Sequence, residues 1–317
     1  MKQQMIEKLL PITDEEQHFL NGEKKINRSL YMESSKNVIN AKKLLREGKL
    51  ITVRTHARFV HFPEHTHDYI EVIYMCQGAT THLINGHKIH LKEGELLFLS
   101  RNAKQEILPA GQRDIAVNFI ILPEFFDDAL RMLGEEESPL RSFIINCLKS
   151  ESSDTAFLHF RISDVLPIQN LVENLIWTLL YAVPNKRKIN QNTMGLLFLH
   201  LLNYTDRLSG NSVNDELVFQ TLRYIEEHYS NGSLGQLCSM LHFDLSWFSR
   251  EIKRRTGYTY TELVQEKRLS QAMFLLKNTD LKVSDIAIRV GYSNISYFHR
   301  LFFKKFGLSP SMFRRQK

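Results

Sequence analysis

One pattern occurs twice in this chain, 50 residues apart, and it constrains the fold more than any other feature of the sequence. The first copy reads Trp247-Phe248-Ser249-Arg250-Glu251-Ile252-Lys253-Arg254-Arg255-Thr256-Gly257. The second reads Tyr297-Phe298-His299-Arg300-Leu301-Phe302-Phe303-Lys304-Lys305-Phe306-Gly307. An aromatic residue, Phe, Arg, a basic pair and a closing Gly recur in step. Upstream of each copy lies a short helical pattern with a small residue at its middle: Leu234–Leu241 around Cys238, and Val283–Val290 around Ala287. A turn follows each, at His242–Leu245 and Gly291–Asn294. The unit is helix, tight turn, helix, Gly, present twice. A small residue at that point lets two helices approach closely, as in a helix-turn-helix.

Local signals mark the boundaries. Ser233 with Gln236, and Thr259 with Glu262, read as capping boxes. Asp244 and Ser293 are placed to cap the second helix of each unit. Gly257 and Gly307 suit helix ends, and Ser309-Pro310 opens a last helix. Three- and four-residue spacing puts Ser246, Ser249, Arg250 and Lys253 on one face, opposite Phe248 and Ile252. In the second unit Ser296, His299, Arg300 and Phe303 face outward, opposite Phe298 and Phe302. Arg and small polar side chains on such a face can reach base edges in a major groove. Lys253, Arg254, Arg255, Lys304 and Lys305, near the helix ends, suit phosphates. Between the units, Thr259 to Leu276 is 18 residues. That spans ~27 Å as a helix, against ~34 Å between successive major-groove faces.

The charge agrees. Residues 1–214 hold 25 basic and 25 acidic side chains, and residues 215–317 hold 16 and 10, so the whole net charge of +6 sits in the last third. A neutral front and a basic back predict a polyanion partner for the back. The 317 residues, 43% of them hydrophobic, suit two or three folded domains and exclude a disordered or fibrous chain. No apolar run reaches membrane-spanning length. The charged Met1–Lys8 has no apolar stretch behind it, and Cys76, Cys147 and Cys238 are scattered. Both features predict a cytoplasmic chain with no membrane partner.

Residues 215–317 resemble the C-terminal DNA-binding domain of the AraC/XylS family of transcription regulators. The matching text is Arg268–Leu276, Ile286–Tyr292, Ser296–Phe302, Lys304–Pro310 and Phe313-Arg314. The resemblance implies sequence-specific promoter DNA as partner, RNA polymerase as a second, and usually activation. It places base-reading positions on Ser246, Ser249 and Arg250, and on Ile295, Ser296, His299 and Arg300. Cys238 stands where the family has Ala, and Glu251 where it has Leu or Met.

The front of the chain has a different texture. Residues 1–50 read as a polar helical arm, with short helices at Asp14–Leu20 and Ser35–Glu47. From 51 to 122, short apolar and β-branched runs alternate with Gly-containing turns. Asn85-Gly86 between two of them predicts a hairpin. After Pro123 the period turns helical to 210, with helices at Glu124–Leu133, Pro139–Lys149, Val165–Val183 and Asn192–Leu208. The stripe Leu171, Leu175, Ile176, Leu179 and Leu180 suits either core or a dimer seam. Ser209–Asn214 reads as a linker.

Within the strands, His65, His67, Glu71 and Gly78 reproduce the H-x-H-x₃-E-x₆-G text that resembles the first signature of the cupin superfamily. Alternate strand positions point the two histidines to one face. The second cupin signature would place a His near Leu97, so the metal set is incomplete and no metal or other cofactor is expected. The predicted architecture is α+β multidomain. A cupin-like β-barrel with helical flanks stands before an all-α domain of two helix-turn-helix units joined by a long helix. The barrel is expected to hold a small-molecule effector, a sugar or related metabolite, against His65, His67, Tyr69, Glu71 and Gln105. The helices after Pro123 would pair two chains into a homodimer. No catalytic constellation is present. The alternatives are a metal-dependent cupin enzyme fused to a DNA-binding domain, and a regulator that senses nothing directly.

Overall fold

The computed structural model describes residues 2–32, 37–101, 103–126, 157–204, 207–210 and 213–315. They form two compact units, one ending at Asp215 and the other beginning at Glu216.

The first unit is built on eleven strands: β1 (Val38–Ile39), β2 (Ile51–Thr55), β3 (Phe62–His67), β4 (Ile70–Gln77), β5 (Ala79–Ile84), β6 (His87–Lys92), β7 (Leu96–Leu99), β8 (Gln105–Ile107), β9 (Ile115–Ile121), β10 (Phe157–Phe160) and β11 (Leu208–Gly210). One sheet runs β1-β3-β8-β5-β6 and the other β11-β10-β7-β4-β9-β2. Ile84 and Leu91 from the first sheet meet Ile73, Leu97, Leu99, Ala116 and Phe157 from the second in one buried core. The expected hairpin is present: Asn85 and Gly86 both have positive φ, 49° and 82°, and Ile84 pairs with His87. Two positive-φ residues match the twist of the strands they join.

Two stretches expected to be helix or linker are strands. Residues 157–160 pair with β7, and Leu208–Gly210, the last residue of the expected helix and the first two of the expected linker, pair with β10. Phe157–Phe160 is buried throughout. A four-residue stretch has no period of its own, and only pairing with the edge of β7 turns it into strand. Residues 38–39 likewise form a strand, on the edge of β3, rather than continuing a helix.

Helices α1 (Lys2–Leu9), α2 (Asp14–Leu20), α3 (Ala41–Leu44), α4 (Leu166–Leu180) and α5 (Lys186–Leu202) complete this unit. Phe19, Ile26, Tyr31, Met32, Ile39 and Ala41 pack on Val60, Phe62, Tyr69, Ile107 and Ile120. The N-terminal segment is therefore part of the fold. An ion pair fixes it: Arg58, fully buried, donates from Nε to Glu16 at 2.6 Å and caps the carbonyls of Leu10, Pro11 and Gln112. Burial alone would raise the Glu16 carboxyl, but hydrogen bonds from Arg58 and Thr13 hold it below the usual range. Leu175 and Ile176 of the expected stripe lie in the core. The exposed apolar line is on α5 instead, at Ile189, Leu196 and Leu199. The expected helix at 139–149, Cys147, and residues 127–133 of the helix before it lie outside the described residues.

The second unit is helical: α6 (Val213–His228), α7 (Leu234–Leu241), α8 (Leu245–Thr256), α9 (Tyr260–Asn278), α10 (Val283–Arg289), α11 (Ile295–Phe306) and α12 (Pro310–Arg314). The capping boxes at Ser233 and Thr259 form, and Asp244 and Ser309 cap as expected. The cap of α11 is Asn294, one residue past the expected Ser293. Both are good caps, and the tertiary position of the turn chooses between them. Gly291 is required there. A Cβ would lie 2.3 Å from the Ser230 carbonyl and 2.8 Å from the Arg268 guanidinium.

Candidate functional site

Helices α8 and α11 are 12 residues each and sit 50 residues apart, each closed by a left-handed Gly. Both follow one burial pattern. Phe248 and Ile252, like Phe298 and Phe302, are fully buried, which turns the opposite face to solvent. Ser246, Arg250 and Lys253 of α8 are exposed and Ser249 half-buried; Ile295, Ser296, Arg300 and Lys304 of α11 are exposed and His299 half-buried. Each set of base-reading candidates thus shares one accessible helix face, starting at the N-terminal turn. Each face carries cations along its length, the arrangement with which a recognition helix enters a major groove.

The phosphate candidates divide. Arg254 and Arg255 both donate to the carboxylate of Glu251, and Lys305 is paired with Glu266 of α9. Arg300 lies over the ring of Tyr297, with 5.2 Å to its centroid. Phe243 stacks on Trp247 beside α8, with centroids 5.1 Å apart.

In the first unit, β3 and β4 bring the histidine motif inside. His65, His67, Glu71 and Gln105 are all buried, and the His65 and His67 rings meet edge-on at 4.9 Å. His65 Nδ1 donates to the Pro63 carbonyl at 2.8 Å. Asn118 donates to Glu71 Oε1 at 2.8 Å and accepts from His56 Nδ1 at 2.9 Å. Gln105 donates to His82 Nδ1 at 3.1 Å, which leaves His82 Nε2 to donate to the Thr80 hydroxyl at 2.9 Å. Several inward atoms stay without a hydrogen bond: His56 Nε2, both ring nitrogens of His67, Glu71 Oε2 and Gln105 Oε1. His67 Nε2 and Glu71 Oε2 face each other at 3.6 Å. Unpaired buried polar atoms are costly, and those of His56 and Glu71, two residues that line one cavity, suit a polar guest.

Burial disfavours charge throughout this cluster. It lowers the His65 imidazolium to about 4 and drives His67 and His82 well below the usual histidine range. It lifts the Glu71 carboxyl to about 7, against the hydrogen bonds from Asn118 and Gln105. Near neutral pH the imidazoles are therefore neutral, and Glu71 is divided between its acid and carboxylate forms.

A cavity of about 50 Å³ opens beside it, lined by Arg54, His56, His65, Tyr69, Glu71 and Asn118 among others. Tyr31, Ile39 and Leu44 of the N-terminal segment close its other side. Of the expected effector residues, His65, Tyr69 and Glu71 line the cavity, whereas His67 and Gln105 are buried but do not line it. His56, His82 and Asn118 were missed. Asn118 breaks the apolar run Ile115–Ile121, and His82 shares the inward face of β5 with Thr80 and Ile84. A polar residue on an otherwise buried face is the signal that could have found both.

A metal does not fit. Among the described residues, no three His, Cys, Asp or Glu side chains gather as a metal-ligand set. Leu97, near the expected position of the second-signature histidine, is buried among Ile73, Leu91 and Leu99.

A ligand-binding β unit joined to a double helix-turn-helix unit defines an effector-controlled, DNA-binding transcription regulator. The family model described as AraC-like ligand binding domain matches residues 47–160, and the model described as helix-turn-helix domain matches residues 237–316. The HTH-type transcriptional activator RhaS of Enterobacter sp. (strain 638) is 26% identical over 259 residues, covering 80% of this chain and 88% of the relative. RhaS of Mannheimia succiniciproducens is 23% identical over 257 residues, covering 80% and 89%. Among solved structures, apo ToxT of Vibrio cholerae strain SCE256 matches 84% of this chain and 97% of its own, at 14% identity and a TM-score of 0.38. The chain belongs to the AraC/XylS family of transcription regulators. Among the described residues, no helix is long and apolar enough to cross a membrane.

Proposed function

We propose that the protein is a cytoplasmic, non-enzymatic transcription activator that reads two adjacent major grooves of promoter DNA and responds to a neutral, hydroxyl-rich metabolite such as a sugar. The twin helices α8 and α11 carry the first part of this reading. Ser246, Ser249 and Arg250, and Ile295, Ser296, His299 and Arg300, supply the base contacts. Arg250 and Arg300 suit guanine edges, each able to donate twice. Lys253 and Lys304 supply phosphate contacts. Activation, and RNA polymerase as the partner it requires, follow from the similarity to relatives named as transcriptional activators.

The uncharged cluster inside the first unit carries the second part. Neutral imidazoles and a carboxyl poised near neutrality offer paired donors and acceptors, which suit hydroxyls better than a fully charged ligand. The cavity as it stands is about 50 Å³. Ligand sites are of order 300 Å³ or more, so effector entry requires Tyr31, Ile39 and Leu44 to shift. The effector acts only through the difference in its affinity for the two arrangements.

Ile189, Leu196 and Leu199 on α5 supply the face on which two copies would pair, and paired chains would read two half-sites. The working division is residues 215–317 for DNA, and the strands of the first unit, with 157–160 and 208–210 included, for the effector.

The decisive experiment is selection of binding sites from a random duplex library by the full chain, followed by affinity measurement on the selected site with a panel of neutral sugars, polyols and sugar acids. A discrete motif whose affinity changes with a neutral hydroxylated compound is expected. Absence of any enriched motif overturns the DNA reading. Response only to charged compounds overturns the effector class.

A further inference from the structure

Helices α8 and α11 match in length, burial pattern and terminal Gly, yet at one equivalent position they differ in charge. Glu251 of α8 stands where α11 has Leu301. Glu251 Oε2 accepts from Arg254 Nε at 3.0 Å, and Oε1 accepts from Arg254 Nη2 at 2.7 Å and from Arg255 Nε at 2.6 Å. Arg255 Nη2 reaches the same oxygen. One carboxylate thus engages both guanidinium groups at the end of the helix. Hydrogen bonds from Arg254, with those from Arg255, hold the Glu251 carboxyl at about 2, so it stays ionised at any physiological pH. The Arg255 side chain is only 11% exposed. Of the four cations on α8, two are committed within the helix.

A fork of N–H donors meets a carboxylate and a phosphate with the same geometry. A phosphate must therefore compete for Arg254 and Arg255 with an intramolecular partner of equal quality that needs no association step. On the reading that α8 lies in a DNA groove, we propose that Glu251 is a positioning residue that withholds Arg254 and Arg255 from the DNA backbone. The first recognition helix then holds DNA through Arg250 and Lys253 and owes more of its affinity to base contacts. Sequence-independent affinity comes mainly from phosphate neutralisation. A carboxylate that removes two such contacts lowers binding to all DNA alike and leaves base reading untouched, so base contacts make up a larger share of the remaining affinity.

The test needs no knowledge of the operator. The full chain and its Glu251→Leu and Glu251→Gln variants are titrated with a mixed-sequence duplex of ~30 base pairs from 50 to 200 mM salt, with circular dichroism to confirm folding. Each freed phosphate contact adds ~0.9 to the slope of log affinity against log salt. Two freed contacts make the loss of affinity over this range roughly tenfold greater for Glu251→Leu than for the parent. Glu251→Gln, which keeps the shape and loses the charge, shifts the slope the same way and carries the test should the Leu variant not fold. Arg254→Ala with Arg255→Ala should leave the parent slope nearly unchanged but cancel the increase in the Glu251→Leu background. A gain that survives loss of both arginines would reflect relieved repulsion alone and overturns the proposal. So does a parent slope that falls when the arginines are removed, because they would then already contact phosphate. If the parent binds no duplex even at 50 mM salt, the DNA-binding reading itself fails.

Discussion

The two units use polar side chains in opposite ways. Inside the first, His56, His65, His67, His82 and Glu71 point inward, and burial strips or suppresses their charge. On the second, Arg250, Lys253, Arg300 and Lys304 point outward into water. The comparison separates two kinds of recognition. A small neutral guest is met by groups whose solvation has already been removed, so that hydrogen bonds to it face no competing water. A polyanion is met by mobile charges whose strength lies in number and field, and which salt can screen.

The largest effect expected from breaking one side of this contrast is at the buried Arg58–Glu16 ion pair of the first unit. Arg58→Ala leaves Glu16 without its partner and should cost ~3–5 kcal/mol. Denaturant unfolding followed through the β-unit signal would read it, and a loss below ~1 kcal/mol would mean the pair is not what anchors the N-terminal segment. On the other unit, Arg250→Ala should cost ~1–3 kcal/mol of discrimination at one base pair of a selected site. Equal weakening on all sequences would move Arg250 to the phosphate class.

The protonation of Glu71 gives a smaller effect with a definite sign. Its pKa is raised from 4.5 to about 7 in the folded state. The folded state therefore binds more protons than the unfolded state across that window, and stability is lost as pH rises through it. Glu71→Gln removes the titration. Its stability relative to the parent should grow between pH 4.5 and 7, by at most ~1.4 kcal/mol per pH unit. A constant difference across the window would show that Glu71 ionises normally. The smallest effect is Lys304→Ala, which should weaken all duplex DNA alike and lower the salt slope by about 1. A base-specific change would show that Lys304 reads sequence.

The two units were not equally legible. Almost every element of the second was readable because its information is local. Caps, turns and the buried face of each helix lie within a few residues of one another, and the repeat checks each unit against its twin. The error there was one residue, Ser293 for Asn294, where two adjacent caps were equally good. In the first unit the strands from 51 to 122 were legible through alternation and turns. Residues 157–160 and 208–210 were not, because each becomes strand only by pairing with a partner distant in sequence. The same reason hid half of the cluster. His65, His67 and Glu71 announced themselves as a spaced motif, whereas His56, His82 and Asn118 come from the residue after β2, from β5 and from β9 respectively. They meet only when the two sheets close.

By itself, then, the sequence determined what local chemistry can determine: two helix-turn-helix units with cations on their open faces, a β-rich front half, and a histidine motif on one strand face. Tertiary structure alone decided which polar groups gather in the interior and how far burial moves their protonation. It also decided that Tyr31, Ile39 and Leu44 close the cavity, that α5 rather than α4 carries the exposed apolar line, and that Arg254 and Arg255 are engaged by Glu251. The physical reason is the same in each case. Periodicity and capping are encoded within a turn or two of chain, whereas desolvation, cavity walls and the choice among competing charge partners depend on which distant segments share one space.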